Sequence, residues 1–376
     1  MMLGKMLRSI KRLWVTIGIA LLILIALEAL AWLAYATRDN RRNASLTRLQ
    51  ATQAYAGAHW FEEYARELSR ARAEWRSYTY WREAPYHGKF INIDERGLRR
   101  TWNRSPAPSP GDLRVYMLGG SGMWGLGARD DFTIPSLVSK KLNSAGVRDL
   151  WFVNYGEQGY VSTQNVIVLM LELQRGNVPQ VVVFLDGYND VQSALETRPG
   201  LPRHEYNRTA EFNLRQRLNW RGYVERRALY KVLRSIAGGE RVQAEGNRGL
   251  ADAVVDVYLG NVRLVQALAE GYGFSAVFFW QPVVHDKKSP TPWEEWLRRR
   301  GGEAFAREVN QALERKLRGG TFGNVYDLSH VFDREKGTVF IDPVHVNETG
   351  YDMMAEVAAR VIERWYKEKR LTTSTR

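Results

Sequence analysis

Residues 14–36 form an almost unbroken apolar run. At about 1.5 Å of rise per residue, a helix of about 23 residues crosses a hydrocarbon core about 30 Å thick. Beyond it, Leu46, Leu49, Tyr55, Trp60, Phe61, Tyr64 and Leu68 make a loose apolar stripe among charges, which predicts a helix over residues 43–76. Residues 78–101 read as extended with a turn at Asp94-Glu95-Arg96-Gly97, and Ser105-Pro106-Ala107-Pro108-Ser109-Pro110-Gly111 reads as a linker. The pattern then changes to short apolar runs alternating with longer amphipathic ones. It predicts strands at 114–118, 151–154, 180–185, 275–280 and 324–327, and helices at 134–143, 163–173, 251–272, 303–317 and 350–367. Short runs rich in Val and aromatics suit parallel strands buried on both faces. Their alternation with helices predicts an α/β domain with helices on both sides of the sheet.

Two stretches break the alternation. Residues 191–249 are basic and irregular, and residues 285–302 carry Trp293, Trp296 and Arg298-Arg299-Arg300. Both follow strand ends, so both are expected as lid-like insertions above the carboxyl edge of the sheet. The expected organisation is a basic tail at 1–13, a transmembrane signal-anchor at 14–36, a juxtamembrane helix and extended linker at 37–111, and the α/β domain at 112–370.

Charge and composition narrow the setting. Lys5, Arg8, Lys11 and Arg12 precede the apolar run, which points the N-terminus to the cytoplasm and the main domain to the far side of the inner (cytoplasmic) membrane. Arg38, Arg41 and Arg42 follow the run and weaken that asymmetry. Ala34-Tyr35-Ala36 resembles a signal-peptide cleavage site, but a signal's apolar core is about 7–15 residues, shorter than this one. Glu28 lies within the span and is expected near the outer interface, beside Trp32 and Tyr35. The 376 residues carry a net charge of +13, which suits an anionic neighbourhood such as a membrane surface or an acidic polysaccharide. Arginines are spread along the chain and no nucleic-acid-binding signature is present, so nucleic acid is not an expected partner. The absence of cysteine excludes disulfides, thiolate metal sites and a cysteine nucleophile; the six histidines form no His-x-x-x-His pair. Neither metal nor cofactor is expected, and the sequence sets no oligomeric state.

The candidate chemistry sits at the strand ends. Ser121 closes the first strand within Leu118-Gly119-Gly120-Ser121-Gly122, at the edge where open α/β sheets bind ligands. The second strand runs into Asn154-Tyr155-Gly156-Glu157-Gln158-Gly159, and the third into Gly187-Tyr188-Asn189-Asp190. Asp342-Pro343-Val344-His345 follows the fifth. Serine ester hydrolysis needs a nucleophile, a base, an orienting acid and oxyanion donors. Ser121, His345 and Asp342 fill the first three roles. The Ser121 N–H, the Gly159 N–H and the Asn189 side-chain amide would form the oxyanion hole.

These four segments resemble the first, second, third and fifth blocks of the SGNH hydrolase (GDSL-like esterase) superfamily, over about 113–351. The usual Gly-Asp-Ser reads Gly119-Gly120-Ser121 here, and the second block's glycine, five after the asparagine, falls on Gly159. Residues 91–101 resemble a stretch that precedes the domain in membrane-anchored members. The resemblance implies a three-layer α/β/α sandwich with about five parallel strands, flavodoxin-like, behind one N-terminal transmembrane helix. It also implies an extracytoplasmic serine esterase that cleaves an acyl ester, acetyl included, on a cell-surface glycan or lipid through an acyl-enzyme. Two alternatives stay open: an O-acyltransferase that moves the acyl group to a sugar hydroxyl, and a catalytically silent glycan-binding protein.

Competing readings concern single motifs. Gly120-Ser121-Gly122-Met123-Trp124-Gly125 also fits G-x-G-x-x-G, but a dinucleotide site needs a helix at once and an acid ending the second strand; the next helix is expected near Ile134 and that strand ends in Asn154. Asp327-Leu328-Ser329-His330 is a second Asp-x-x-His, directly at a strand end. Asp190 is expected to stabilise a turn, and His285 to be a lid or surface residue. Trp124, Tyr160, Tyr188 and Trp280 could line a sugar-stacking wall or pack in the core.

Overall fold

The computed structural model describes residues 10–33, 54–197, 247–299, 303–319 and 322–374. The chain divides into two compact units, one of residues 1–49 and 206–245, the other of residues 50–205 and 246–376. In the first, helix α1 (Ile10–Leu33) reaches a mean hydropathy of 2.5 over its most apolar window, none of which is buried. By length and composition it can cross a membrane or serve as a signal sequence. It begins four residues before the expected span, and Ala34-Tyr35-Ala36 lies outside the described residues.

In the second unit, five parallel strands make the main sheet: β5 (Leu113–Gly119), β6 (Leu150–Asn154), β7 (Val181–Asp186), β8 (Ser275–Trp280) and β9 (Val325–Asp327), in the order β6-β5-β7-β8-β9. The strands fall within one or two residues of the sequence expectation. β7, Val-Val-Val-Phe-Leu-Asp at the centre of the sheet, is buried at every position, as a strand covered on both faces must be. β6 lies at an edge and alternates buried with half-buried positions. Alternate residues divide two cores. Val115, Met117, Val183, Leu185 and Phe279 face one side, where helices α4 (Ile134–Ser144) and α10 (Glu348–Ser374) pack. Tyr116, Leu118, Phe184 and Phe278 face the other, under α5 (Ser162–Gln174), α7 (Asn247–Tyr272) and α9 (Glu303–Leu317). The result is a three-layer α/β/α sandwich.

The structure corrects four expectations. The helix expected over 43–76 is described only from residue 54, where α2 (Phe61–Leu68) stops and an antiparallel hairpin of β1 (Ala73–Arg76) and β2 (Tyr80–Glu83) follows. The stretch 191–249 is not wholly irregular. Its first residues belong to α6 (Tyr188–Thr197) and its last to α7, while 198–246 lies outside the described residues. Within 285–302, α8 (Pro292–Arg298) starts from a Thr291–Glu294 capping box and buries Trp293 and Leu297 in the core. A helix also starts at once after β5: α3 (Ser121–Trp124) makes a single turn, closed by left-handed Gly125. Two further short strands, β3 (Tyr86–His87) and β4 (Asn92–Ile93), and the buried Tyr64 and Ile91 lay an N-terminal layer against Trp124 of that turn.

Candidate active site

Ser121 opens α3 and is buried, 9% exposed. Two features fix the turn. Gly120 lies so close to Asn189 that an added Cβ would stand 2.4 Å from the amide nitrogen. A side chain here, such as the aspartate of the usual Gly-Asp-Ser block, would require the Asn189 amide to shift. Beneath the turn, the buried Arg99 donates to the carbonyls of Trp124 (3.1 Å), Gly125 (2.8 Å) and Ala128 (2.6 Å), and stacks 4.1 Å over the Trp124 ring. Asp130, equally buried, pairs with it at 3.0 Å. Burial raises the Asp130 carboxyl pKa, against the lowering pull of Arg99.

The Ser121 Oγ lies 2.6 Å from His345 Nε2, and His345 Nδ1 lies 2.6 Å from Asp342 Oδ2. A carboxylate only accepts, so Nδ1 carries the proton and Nε2 is left to accept the serine O–H. Asp342 is held by the loop it belongs to: its Oδ1 accepts the backbone N–H groups of Val344 (2.9 Å) and His345 (2.8 Å). Burial alone would raise its pKa, but the facing His345 and these hydrogen bonds outweigh it and keep the carboxyl below its ordinary value. The serine, imidazole and carboxylate thus form one hydrogen-bonded line across 224 residues of sequence.

The expected oxyanion groups lie beside this line. The Asn189 amide donates to the Tyr160 carbonyl at 2.8 Å, and its nitrogen carries a second hydrogen. Gly159, next to Tyr160, takes φ +78°, a conformation that favours glycine, in a turn covered by Trp81. The same turn is tied to the end of β5, since the Glu157 N–H donates to the Gly119 carbonyl at 3.0 Å. Ser121, Gly120, Asn189 and the Gly159–Tyr160 turn therefore meet at one strand edge.

The other candidates separate. His330 is 68% exposed and pairs with Asp333 at 3.4 Å, while Asp327 bonds the backbone and hydroxyl of Ser329. Asp190 accepts the Ser162 N–H and hydroxyl at the start of α5, the structural role expected of it. His285 is buried rather than on the surface, and burial, aided by Arg307 and Arg298, holds its pKa down at about 4. Trp124, Tyr160 and Trp280 are buried core residues, whereas Tyr188 is half-buried.

Two groups around the site escaped the sequence reading. Lys287 and Glu294 form an ion pair at 2.6 Å with both side chains fully buried. Glu294 Oε1 accepts the Val339 (2.9 Å) and Phe340 (3.2 Å) N–H groups, and Lys287 also donates to the Gly337 carbonyl. The pair thereby grips the loop that leads into Asp342. Thr291-x-x-Glu294, a capping-box spacing, was the available signal for α8 but not for the lysine. On the opposite side Glu157 is buried and accepts the Glu83 and Gln158 N–H groups, both at 3.0 Å. Burial pushes its pKa up to about 7, with Arg82 opposing and Glu83 reinforcing.

The strand order, the serine on the turn after β5 and the aspartate–histidine loop before the last helix match the architecture expected from the motifs. The fold is a three-layer α/β/α sandwich around a five-stranded parallel sheet. No model of a known protein family matches the chain, and comparison with curated proteins gives no match. Among solved structures, the chain is similar to the acetyl xylan esterase AlAXEase at 15% identity, covering 65% of this chain and 96% of that one, TM-score 0.38. A lipolytic protein of the G-D-S-L family from Veillonella parvula DSM 2008 is similar at 16% identity, covering 67% and 98%, TM-score 0.37. A GDSL-like lipase from Bacteroides thetaiotaomicron VPI-5482 is similar at 15% identity, covering 68% and 91%, TM-score 0.37.

Proposed function

We propose that this protein is a serine esterase, anchored in the inner membrane by α1, whose α/β domain works on the extracytoplasmic side. The reading rests on one observation: a buried serine hydroxyl, an imidazole and a carboxylate stand in line with both links at 2.6 Å. In that arrangement His345 Nε2 takes the Ser121 proton as Oγ attacks the ester carbonyl carbon. Asp342 orients the ring and stabilises the imidazolium that forms. The Ser121 N–H, the Gly159 N–H and the Asn189 amide receive the charge that develops on the carbonyl oxygen. Collapse breaks the ester C–O bond, His345 returns its proton to the departing alkoxide, and an acyl group remains on Ser121. A water then gives its proton to His345 and attacks the acyl carbon; the acyl–Oγ bond breaks, His345 returns the proton to Ser121 Oγ, and the acid leaves.

The substrate proposed is an acylated, in particular acetylated, glycan or lipid of the cell surface. Lys5, Arg8, Lys11 and Arg12, ahead of the apolar stretch of α1, support the orientation. The test is release of acetate from acetylated glycans and of p-nitrophenol from p-nitrophenyl acetate by the full-length chain in detergent. Wild type should turn over both and Ser121→Ala neither. Undiminished turnover by the alanine variant would remove the basis of the proposal.

A further inference from the structure

Away from the serine, near the edge strand β6, two cavities have Arg96 and Leu98 in common between their linings, so that they lie side by side in one cleft region. The larger measures about 610 Å³ and the smaller about 300 Å³. None of Ser121, Gly159, Asn189, Asp342 and His345 lines either cavity. A volume in this range fits a bound molecule, and two such cavities side by side suit successive rings of one chain.

The lining is basic but not uniformly so. Six arginines line the cleft against three carboxylates, Asp94, Glu95 and Glu172. Arg82 and Arg99 are buried and donate to backbone carbonyls, so they belong to the frame. The other four reach solvent, with side chains 40% (Arg76), 66% (Arg96), 52% (Arg100) and 63% (Arg175) exposed. Their present partners are Glu74, Asp94, Asp131 and Glu172. The pairs of Arg76 and Arg96 are exposed on both sides and contribute little, as does that of Arg100 with Asp131, so exchanging them for a ligand carboxylate is cheap, whereas Arg175 faces the buried Glu172; a guanidinium fork matches a carboxylate at two points. Each cavity also holds an aromatic ring: Tyr78 lines the larger, Trp151 the smaller. Tyr78 is 72% exposed and held at φ +69°, a left-handed conformation that a tyrosine adopts at a cost and that concentrates at ligand clamps.

We propose that this cleft binds a carboxylated polysaccharide, with uronate carboxylates on the exposed arginine forks and sugar rings against Tyr78 and Trp151. The three lining carboxylates favour this over a phosphodiester duplex: they can accept the hydroxyls of uronate rings, and a DNA duplex offers none along its length. The site does not depend on the esterase reading, because its residues touch none of the proposed catalytic groups.

The test is titration of the full-length chain in detergent micelles with oligogalacturonate, with dextran and a DNA duplex as the neutral and phosphorylated counterparts. Oligogalacturonate should bind, more weakly as salt rises, and equally well to Ser121→Ala. Arg96→Ala combined with Arg76→Ala should lower the affinity at least tenfold, and Tyr78→Ala severalfold, with thermal midpoints and any p-nitrophenyl acetate turnover unchanged. Arg96→Lys, which keeps the charge but not the fork, should lose affinity severalfold without disturbing the fold. No binding of oligogalacturonate, equal binding of dextran, tighter binding of DNA, or full affinity in the double variant would each overturn the proposal.

Discussion

Glu294→Gln probes the grip on the catalytic loop. The substitution removes the charge that faces Lys287 across 2.6 Å and leaves the fully buried ammonium with the Gly337 carbonyl as its remaining partner. Breaking one member of a buried pair costs about 3–5 kcal/mol, because the surviving charge stays desolvated. The glutamine oxygen can still accept from Val339 and Phe340, but its NH₂ then points at the Lys287 ammonium and the Thr291 N–H, donors both. For a domain of this size each kcal/mol moves the thermal midpoint by about 2 °C, so a drop of about 6–10 °C is expected. Loosening of the 337–340 segment passes to Asp342 and His345, and misplacement of a catalytic group by about 1 Å lowers turnover by up to about 10²-fold. Calorimetry and p-nitrophenyl acetate kinetics at a temperature where the variant is still folded measure both effects. Lys287→Met added to Glu294→Gln should recover part of the midpoint, since the orphaned charge is gone. A single variant with wild-type midpoint and turnover would refute the reasoning, as would a double variant whose loss equals the sum of the two single ones.

Three further outcomes are expected. Asn189→Ala removes an oxyanion donor and should lower kcat by about 10²–10³ with KM little changed, measured on a soluble acetate ester. His345→Ala should abolish ester turnover while His330→Ala, altered at an exposed position, keeps it; the reverse result would move the base to the other Asp-x-x-His. Glu157 has a folded-state pKa raised to about 7, so the folded protein binds its proton more tightly than the unfolded chain does. Stability from this group is full below about pH 4.5 and declines up to about pH 7, by roughly 3 kcal/mol in all. The midpoint advantage of wild type over Glu157→Gln should therefore shrink between pH 5 and pH 8; parallel curves would contradict the assignment.

The sheet was legible because its central strands are buried on both faces, and that burial writes itself as Val-Val-Val-Phe-Leu and Ala-Val-Phe-Phe-Trp. Ser121 and Asn189 of the candidate site were legible for a related reason, as they follow strand ends almost directly, where few residue types serve the chemistry; Asp342 and His345, well beyond the end of β9, were legible only as an Asp-x-x-His pair ahead of the last helix. The losses have physical causes too. The β1–β2 hairpin was hidden by Glu74, Arg76 and Arg82, since charged residues at strand positions mask the alternation that marks a strand. Arg99 and Lys287 could not be read as buried, because both residue types are almost always exposed and only tertiary partners make their burial tolerable. Helix α6 begins Tyr-Asn-Asp, better suited to a turn than a helix, and owes its place to the packing of Val191 and Ala194 in the core.

The account turns on Ser121 carrying the acyl group. Brief reaction of the full-length chain with p-nitrophenyl acetate at low pH, where deacylation is slowed, followed by peptide mass analysis, reads this directly. One acetyl group should appear on the peptide containing Ser121, and the Ser121→Ala chain should show no adduct and at least about 10³-fold lower turnover. An acetyl group found on another residue, or an alanine variant that burns through the ester as fast as wild type, would contradict it.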